Sequence, residues 1–328
     1  MENLLDALNQ FKERRVIVIG DVLLDQYVRG SIDRLNPEIP AVPLVKVSGI
    51  DYRLGGAANV ARNLASLGAT CHLFGQIGRD AYGDKITELC AAEGIKTYFV
   101  DSGRETIVKQ RVFSDGHYLA RIDFGEDKLI PITSNLEKVI EREIIKDLNL
   151  YDLIIFSDYD KGIFGGNLAR VIIEAGISRR ILTLADPKPA NINAFLGCNI
   201  IRLNRKEAEE VAGRKYDGNN LREIATILAE RTNPVYAVIT CGAEGVFTYD
   251  TEDTEKGISQ MVRAKKIEIG DAIGAGDTFA AVLGLGMASK LNFEGSIRLA
   301  NYASAIVVGK IGTAVTNIEE LRSALKES

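Results

Sequence analysis

The sequence has few of the residues from which metal centres and nucleophilic hydrolases are built. Its 328 residues hold two histidines, His72 and His117, and four cysteines, Cys71, Cys90, Cys198 and Cys241. No CxxC pair or Cys/His cluster occurs, which argues against a zinc site, and the cysteines read as buried, reduced thiols. Two distant histidines make neither a His-based metal site nor a Ser-His-Asp triad the default expectation. His72, in the apolar run CHLFGQIG, reads as structural, and His117, in SDGHYL, as a turn residue able to face a site. There is no apolar run of about 18 residues, so no membrane-spanning helix is expected. The N-terminal MENLLDALNQFKERR reads as an amphipathic helix, with acids early and bases late. It lacks the basic start and apolar core of a signal peptide, and the expected location is the cytoplasm. The net charge of −5 gives no basic face, so nucleic acid is not an expected partner. Anionic small substrates remain compatible, because the charge of a site can differ from the net. Also missing are GxxxxGK[ST] and, near the first strand, GxGxxG, which disfavours a P-loop enzyme and a Rossmann dehydrogenase.

What is present is an ordinary globular composition, 46% hydrophobic and 26% charged, long enough for a large core. RVIVIG reads as a buried strand, LGGAANVARNLASLGA as a helix after Gly56, and TCHLFGQIG as another strand. From residue 134, helices and apolar strands alternate: NLEKVIEREIIKDL, YDLIIFSD, GGNLARVIIEAG, RRILTLADPK, CNIIRLN, RKEAEEVAG, LREIATILAERT and YAVITCG. Such alternation implies a doubly wound, mostly parallel α/β sheet with helices on both faces. Residues 246–269 read as short antiparallel edge strands, and the last 50 or so as helical. Two insertions of strand character, about 23–47 and 97–123, are expected to assemble into a small β-sheet lid on this one domain.

Ligands of open parallel sheets sit beyond the carboxyl ends of the strands. Here those ends carry Asp21, Asp25, Asp158, Asp186, Lys188, Asn204 and Thr240. The set suits a substrate rich in hydroxyls and phosphates; the alternative is that Asp and Asn simply cap the next helix. The most informative stretch is DAIGAGDTFAA, residues 271–281. Glycine costs roughly 1 kcal/mol against alanine inside a helix, so glycines crowded before a helix suggest a close approach to the backbone. A helix start of this kind can hold an anion such as a phosphoryl group in transfer. Asp277, in the first turn, could then take a proton from an attacking hydroxyl.

LGGAANVARNLASLGA and DAIGAGDTFAA together resemble the two signatures of the ribokinase-like sugar kinases, the phosphofructokinase B family. NRKEAE, TCGAEGV and ANYASAIVVGKIGT fall where that family has its magnesium, nucleotide and closing segments. The resemblance covers about 14–322. Within the family, GDVLLDQYVRGSIDRLNPEIPAVPLVKV, FSDYDKG and VVGKIGT are most similar to members that act on a heptose 7-phosphate. The resemblance implies ATP-dependent phosphorylation of the anomeric hydroxyl of D-glycero-D-manno-heptose 7-phosphate, giving the 1,7-bisphosphate, in ADP-heptose synthesis. Fructose, ribose or ketodeoxygluconate kinases of the same family are the alternative, and a sugar- or nucleotide-binding regulator without turnover is the reading from another class. Some relatives carry a nucleotidyltransferase after the kinase; here that step is expected to need another protein.

Carried over by position, the resemblance makes Asp277 the base and Gly274, Ala275 and Gly276 the anion hole. Asp21 and Asp25 would hold sugar hydroxyls, with Gly55, Gly56 and Asn59 letting the sugar lie against the backbone. Asn204 and Glu207 would organise Mg²⁺ through water. Thr240, Gly242 and Gly245 would line the nucleotide, with Asn301 near the adenine. A potassium ion would sit at Asp271, Ile273 and 309–313. Candidates for the substrate phosphate are Arg34, Lys109, Arg111 and Lys161; in KQR, Lys109 and Arg111 share one face of a strand. An apolar outer lid face of Tyr98, Val100, Val108 and Val112 is expected to pair two copies into a homodimer.

Overall fold

The computed structural model describes residues 2–126, 131–252, 259–263, 273–310 and 312–326. Its large sheet has nine strands in the order β13 (Ser259–Val262), β12 (Val246–Asp250), β11 (Tyr236–Thr240), β10 (Ile200–Asn204), β9 (Leu182–Asp186), β8 (Leu153–Ser157), β1 (Arg15–Gly20), β4 (Thr70–Ile77) and β5 (Lys96–Asp101). All neighbours pair in parallel except at the β11–β12–β13 edge, which is antiparallel. Alternate residues of a strand point to opposite faces, and β1 feeds two cores accordingly. Val16 and Val18 pack with α2 (Ala57–Ser66), α8 (Ala275–Ala288) and α9 (Phe293–Val308). Ile17 and Ile19 pack with α4 (Ser134–Lys146), α5 (Leu168–Ser178), α6 (Arg205–Ala212) and α7 (Leu221–Thr232). The α/β architecture is therefore that expected from the alternating runs.

A second sheet of four strands has the order β3 (Lys46–Gly56), β2 (Val22–Ser31), β6 (Val108–Ser114) and β7 (His117–Phe124). Its boundaries differ from those read in the sequence. The first excursion continues to Gly56, because β3 pairs with β2 along its whole length. Residues 97–101 belong instead to β5, which pairs in parallel with β4. Tyr98 stacks on Phe74 with ring centroids 4.4 Å apart, so neither it nor Val100 lies on the outer face of the small sheet. Val108 is buried in the main core. The residues that are exposed on that outer face are Val47, Ile50, Ile122 and Phe124.

His72 is structural, its Nδ1 bonded to the Tyr151 hydroxyl; His117 is exposed at the β6–β7 hairpin. The four cysteines are buried and free. Among the described residues no helix is long and apolar enough to cross a membrane.

Strand β1 ends on a glycine for a packing reason. A Cβ at Gly20 would lie 2.1 Å from the Ser157 carbonyl oxygen and 2.7 Å from Ala57 Cβ. Gly20→Ala is therefore expected to destabilise the protein by about 1–3 kcal/mol, the scale of overpacking. Urea unfolding would show this as a lower midpoint, and an unchanged midpoint would mean that β1 and β8 can separate without cost.

Candidate active site

The chain passes from the large sheet to the small one at Asp21. This residue is 1% exposed. Its carboxylate accepts the main-chain N–H groups of Tyr159 (2.9 Å), Lys161 (3.0 Å) and Ile163 (3.3 Å). Its own N–H donates to the Ser157 carbonyl, and its carbonyl accepts from Ala57 N. Burial holds its pKa above the usual carboxylate value in spite of the three N–H donors. Asp21 thus folds the 158–163 loop over the end of β8. Gly56 is required beside it: φ is +59°, and a Cβ would lie 2.4 Å from the Asp21 carbonyl. A Cβ at Gly55 would meet Leu23 and the Asp25 carboxylate.

The loop delivers Tyr159 to Asp277, in the first turn of α8. The phenol donates to Asp277 Oδ1 at 2.6 Å, and Asn59 Nδ2, from α2, donates to Oδ2 at 2.7 Å. Burial pushes the Asp277 pKa up to about 6, and the two donors restrain the rise. The glycines before Asp277 leave room for protein side chains. A Cβ at Gly274, where φ is +81°, would lie 2.8 Å from Asn59 Nδ2, and one at Gly276 would lie 2.9 Å from Arg202 Nη1. Main-chain N–H groups of a first helical turn have no intrahelical acceptor, so this helix start can receive negative charge next to a carboxylate able to accept a proton.

A cleft of about 210 Å³ opens beside Asp277 and is lined by Tyr159, Asp186, Lys188, Arg202, Asn204 and Glu207, among others. Arg202 is buried, donates to both oxygens of Asp186 (3.0 and 2.9 Å) and reaches Thr240 Oγ1 (2.9 Å). Asn204 and Glu207 form a reciprocal capping box at the start of α6, so the capping alternative holds for them, yet both still face the cleft. Lys188 Nζ pairs with Glu207 Oε1 at 2.5 Å. No group of three His, Cys, Asp or Glu among the described residues could hold a metal directly. The polar groups present fit a magnesium ion that would be bound mainly by nucleotide phosphates and water.

On the other side of Asp277 lies the inner face of the small sheet. Register places Asp25, Tyr27, Arg53, Lys109 and Arg111 on it. Arg111 Nη1 donates to Asp25 Oδ1 at 2.6 Å, and Thr313 Oγ1 donates to Asp25 Oδ2 at 2.9 Å. Lys161 and Lys109 converge on Glu126, at 3.1 and 3.9 Å. Arg34 is exposed on the 32–45 connection and joins neither ion pair. A second cleft, about 370 Å³, lies between β3, α2 and α3 (Ala81–Ala92), walled by Arg53, Arg62 and Glu93. It is larger, but Arg62 and Glu93 pair with each other there, and the proton acceptor and helix start belong to the smaller cleft.

Thr240 touches the 210 Å³ cleft only through Arg202. Gly242 and Gly245 shape the turn after β11 with φ of +59° and +114°. Asn301, on α9, donates to the Arg263 carbonyl at 3.3 Å. Asp271 lies outside the described residues. Sequence reasoning missed Tyr159 and Arg202. The available signal for Arg202 was a lone charge inside the apolar run CNIIRLN, since a buried charge needs a partner.

The profile of the pfkB family carbohydrate kinases matches residues 13–320. A D-beta-D-heptose 7-phosphate kinase of Bordetella bronchiseptica is 35% identical, over 94% of this chain and 95% of that one. The bifunctional protein HldE of Campylobacter curvus is 34% identical over 96% of this chain. The chain spans about two thirds of that longer relative, 66% of its length. In architecture the chain is similar to phosphofructokinase-2 of Escherichia coli in complex with potassium, with a TM-score of 0.78, 17% identity and coverage of 96% and 98% of the two chains. Ribokinase of Thermotoga maritima gives a TM-score of 0.72 at 20% identity, covering 95% of this chain and 99% of that one. With the family profile spanning nearly all of the sequence, a ribokinase-like fold and a buried carboxylate at the glycine-flanked helix start, the chain belongs to the pfkB family of carbohydrate kinases.

Proposed function

We propose that the protein phosphorylates the anomeric hydroxyl of D-glycero-D-manno-heptose 7-phosphate with ATP, giving the 1,7-bisphosphate used in ADP-heptose synthesis. The observation that carries this reading is the position of Asp277 between a polar cleft lined by Lys188, Asn204 and Glu207 and a basic face. Asp277 accepts the proton of the sugar hydroxyl as its oxygen attacks the γ-phosphorus and ADP leaves. The first-turn amides of α8, at Gly274, Ala275 and Gly276, receive the charge that develops. Magnesium, when bound with ATP, neutralises the phosphates, and Glu207 and Asn204 order its water shell. Thr240, Gly242, Gly245 and Asn301 border the nucleotide. A potassium ion would be held by the main chain near Ile273 and Gly309, with Asp271 the candidate carboxylate from the sequence. Asp25, Gly55, Gly56 and Asn59 form the sugar floor. Asn59 Oδ1 is buried without a hydrogen-bond partner among the described residues and supplies an acceptor for a sugar hydroxyl; Asp21 supports the floor from beneath. The reaction belongs in the cytoplasm, where ATP is available.

Lys109 and Lys161 bind the 7-phosphate. Both surround one carboxylate, Glu126, so the cluster keeps a positive excess. Arg111 contributes through Asp25, and Arg34 closes over from its loop. A free sugar has no use for these bases, and a regulator without turnover has no use for Asp277. Two copies pair through Val47, Ile50, Ile122 and Phe124, because an exposed apolar sheet face is otherwise a liability.

Purified protein with Mg-ATP is expected to release ADP with heptose 7-phosphate and not with fructose, ribose or fructose 6-phosphate; turnover on a free sugar alone would overturn the assignment. Lys109→Ala should raise the KM for the sugar phosphate about tenfold, the scale of one charge-assisted hydrogen bond, with the KM for ATP unchanged. Lys109 is the better probe than Arg111, since removing Arg111 also strips buried Asp25 of its counter-ion.

In wild type, log kcat/KM should fall by one unit per pH unit below about pH 6, because the base must be ionised and burial has raised its pKa. Asn59→Ala removes a donor that favours the carboxylate, so the limb should move to higher pH. A limb that stays in place would separate it from Asp277. Ile122→Glu should shift the sedimentation of the protein from dimer to monomer; a monomeric wild type would refute the pairing.

A further inference from the structure

Both oxygens of Asp277 are engaged in the structure, one by Asn59 and the other by the Tyr159 phenol at 2.6 Å. The carboxylate is 5% exposed, so little room remains for a further hydroxyl on Oδ1. An alcohol donating to Oδ1 is what the reaction requires, and the phenol supplies that contact from within the protein. We propose that Tyr159 is an internal stand-in for the acceptor: its hydroxyl occupies Asp277 until the sugar displaces it, and so keeps water off the base while ATP is bound. This inference rests on the kinase reading above and adds a guard to the same site.

Three features fit that role. The anchoring of Tyr159 is separate from its phenol: its main-chain N–H is held by Asp21, and the next residue, Asp160, by Asp158. Among the described residues the phenol makes no hydrogen bond other than that to Asp277. The side chain can therefore leave the base without unfolding the loop. Burial, with Asp277 next to it, keeps the phenol pKa well above its usual value, so the group remains a donor and not a phenolate. Lys188 Nζ lies 5.4 Å from the ring centroid and pairs with Glu207, so the ring borders the cleft beside Asp277.

The reaction being guarded against is hydrolysis. A water oxygen would bond to the γ-phosphorus as the bond to the β–γ bridging oxygen breaks, the water proton would pass to Asp277, and ADP and inorganic phosphate would result. Exclusion of water from a transfer site is a general requirement of kinases, and Tyr159 acts here as a positioning residue through the base.

The test compares full-length wild type and Tyr159→Phe, measuring ADP release with Mg-ATP alone and both ADP and sugar bisphosphate with heptose 7-phosphate present. The variant should hydrolyse ATP alone about tenfold faster, the scale of one lost hydrogen bond, with a lower KM for the sugar and more ADP formed per bisphosphate. Tyr159→Leu should move the ratio in the same direction. A merely structural loss would lower both products and leave their ratio alone. Unchanged hydrolysis and sugar KM would overturn the inference. So would a collapse of transfer without added hydrolysis, which would place the phenol in the transfer step itself. Absence of sugar-dependent turnover in wild type would count against the substrate assignment, while the ATP-only comparison would still read the guard.

Discussion

The carboxylate of Asp21 is the constraint on which the site depends. One side chain collects three main-chain N–H groups of a loop more than 130 residues away, while its own backbone joins Ser157 to Ala57. Buried carboxylates are costly unless each lone pair is used, and here the use is geometric. The ends of β1 and β8, the start of α2 and the 158–163 loop are fixed to one atom group. Through the loop this fixes Tyr159, and through α2 it fixes Asn59. The two donors that meet at Asp277 are thus set from a single residue in the preceding layer. Asp21, expected from the sequence to hold sugar hydroxyls, has its carboxylate bonded by three main-chain N–H groups of this loop.

The charges around Asp277 divide by how they are paired. Arg202 is bound to Asp186 and Thr240 through its two terminal nitrogens, while its buried Nε has no partner among the described residues. Removing either partner of such a buried pair costs roughly 3–5 kcal/mol, so this cation holds the wall behind Gly276. Lys188 differs. It pairs with Glu207 at the rim of the cleft, where the lysine side chain is 36% exposed and that of Glu207 12%. The lysine end of this pair is therefore open to the cleft, unlike Arg202. The helix start between them offers fixed dipoles that need no reorganisation as charge develops.

The architecture was legible because it is written in period and alternation. Apolar β-branched runs such as RVIVIG and YAVIT became central strands, and amphipathic runs between them became helices. The boundary that failed, at residues 97–101, failed for a physical reason: a strand of Thr, Tyr, Phe and Val carries no mark of which sheet it joins, since that depends on the partner edge left open by β4. The glycines at 274 and 276 mark a close approach, read in the sequence as that of an anion, whereas the side chains that stand against them, Asn59 and Arg202, could not be read. Asn59 lies 218 positions from Asp277, and Tyr159 lies 118. Contacts of that separation are set by topology, and no local pattern announces them.

Thr313 shows how far such contacts tie the site together. Its N–H donates to Tyr27 Oη, its hydroxyl accepts from Tyr27 and donates to Asp25, and its carbonyl accepts from Arg53 and Arg62. Every polar atom of this buried residue is used, and each unmade bond would cost about 1–3 kcal/mol. The same residue brings its Cγ2 to 3.4 Å from the place a Gly274 Cβ would fill. Thr313 thus stands between the inner face of the small sheet and the start of α8. Any hydroxyl that bonds to Asp25 must share it with Arg111 and Thr313.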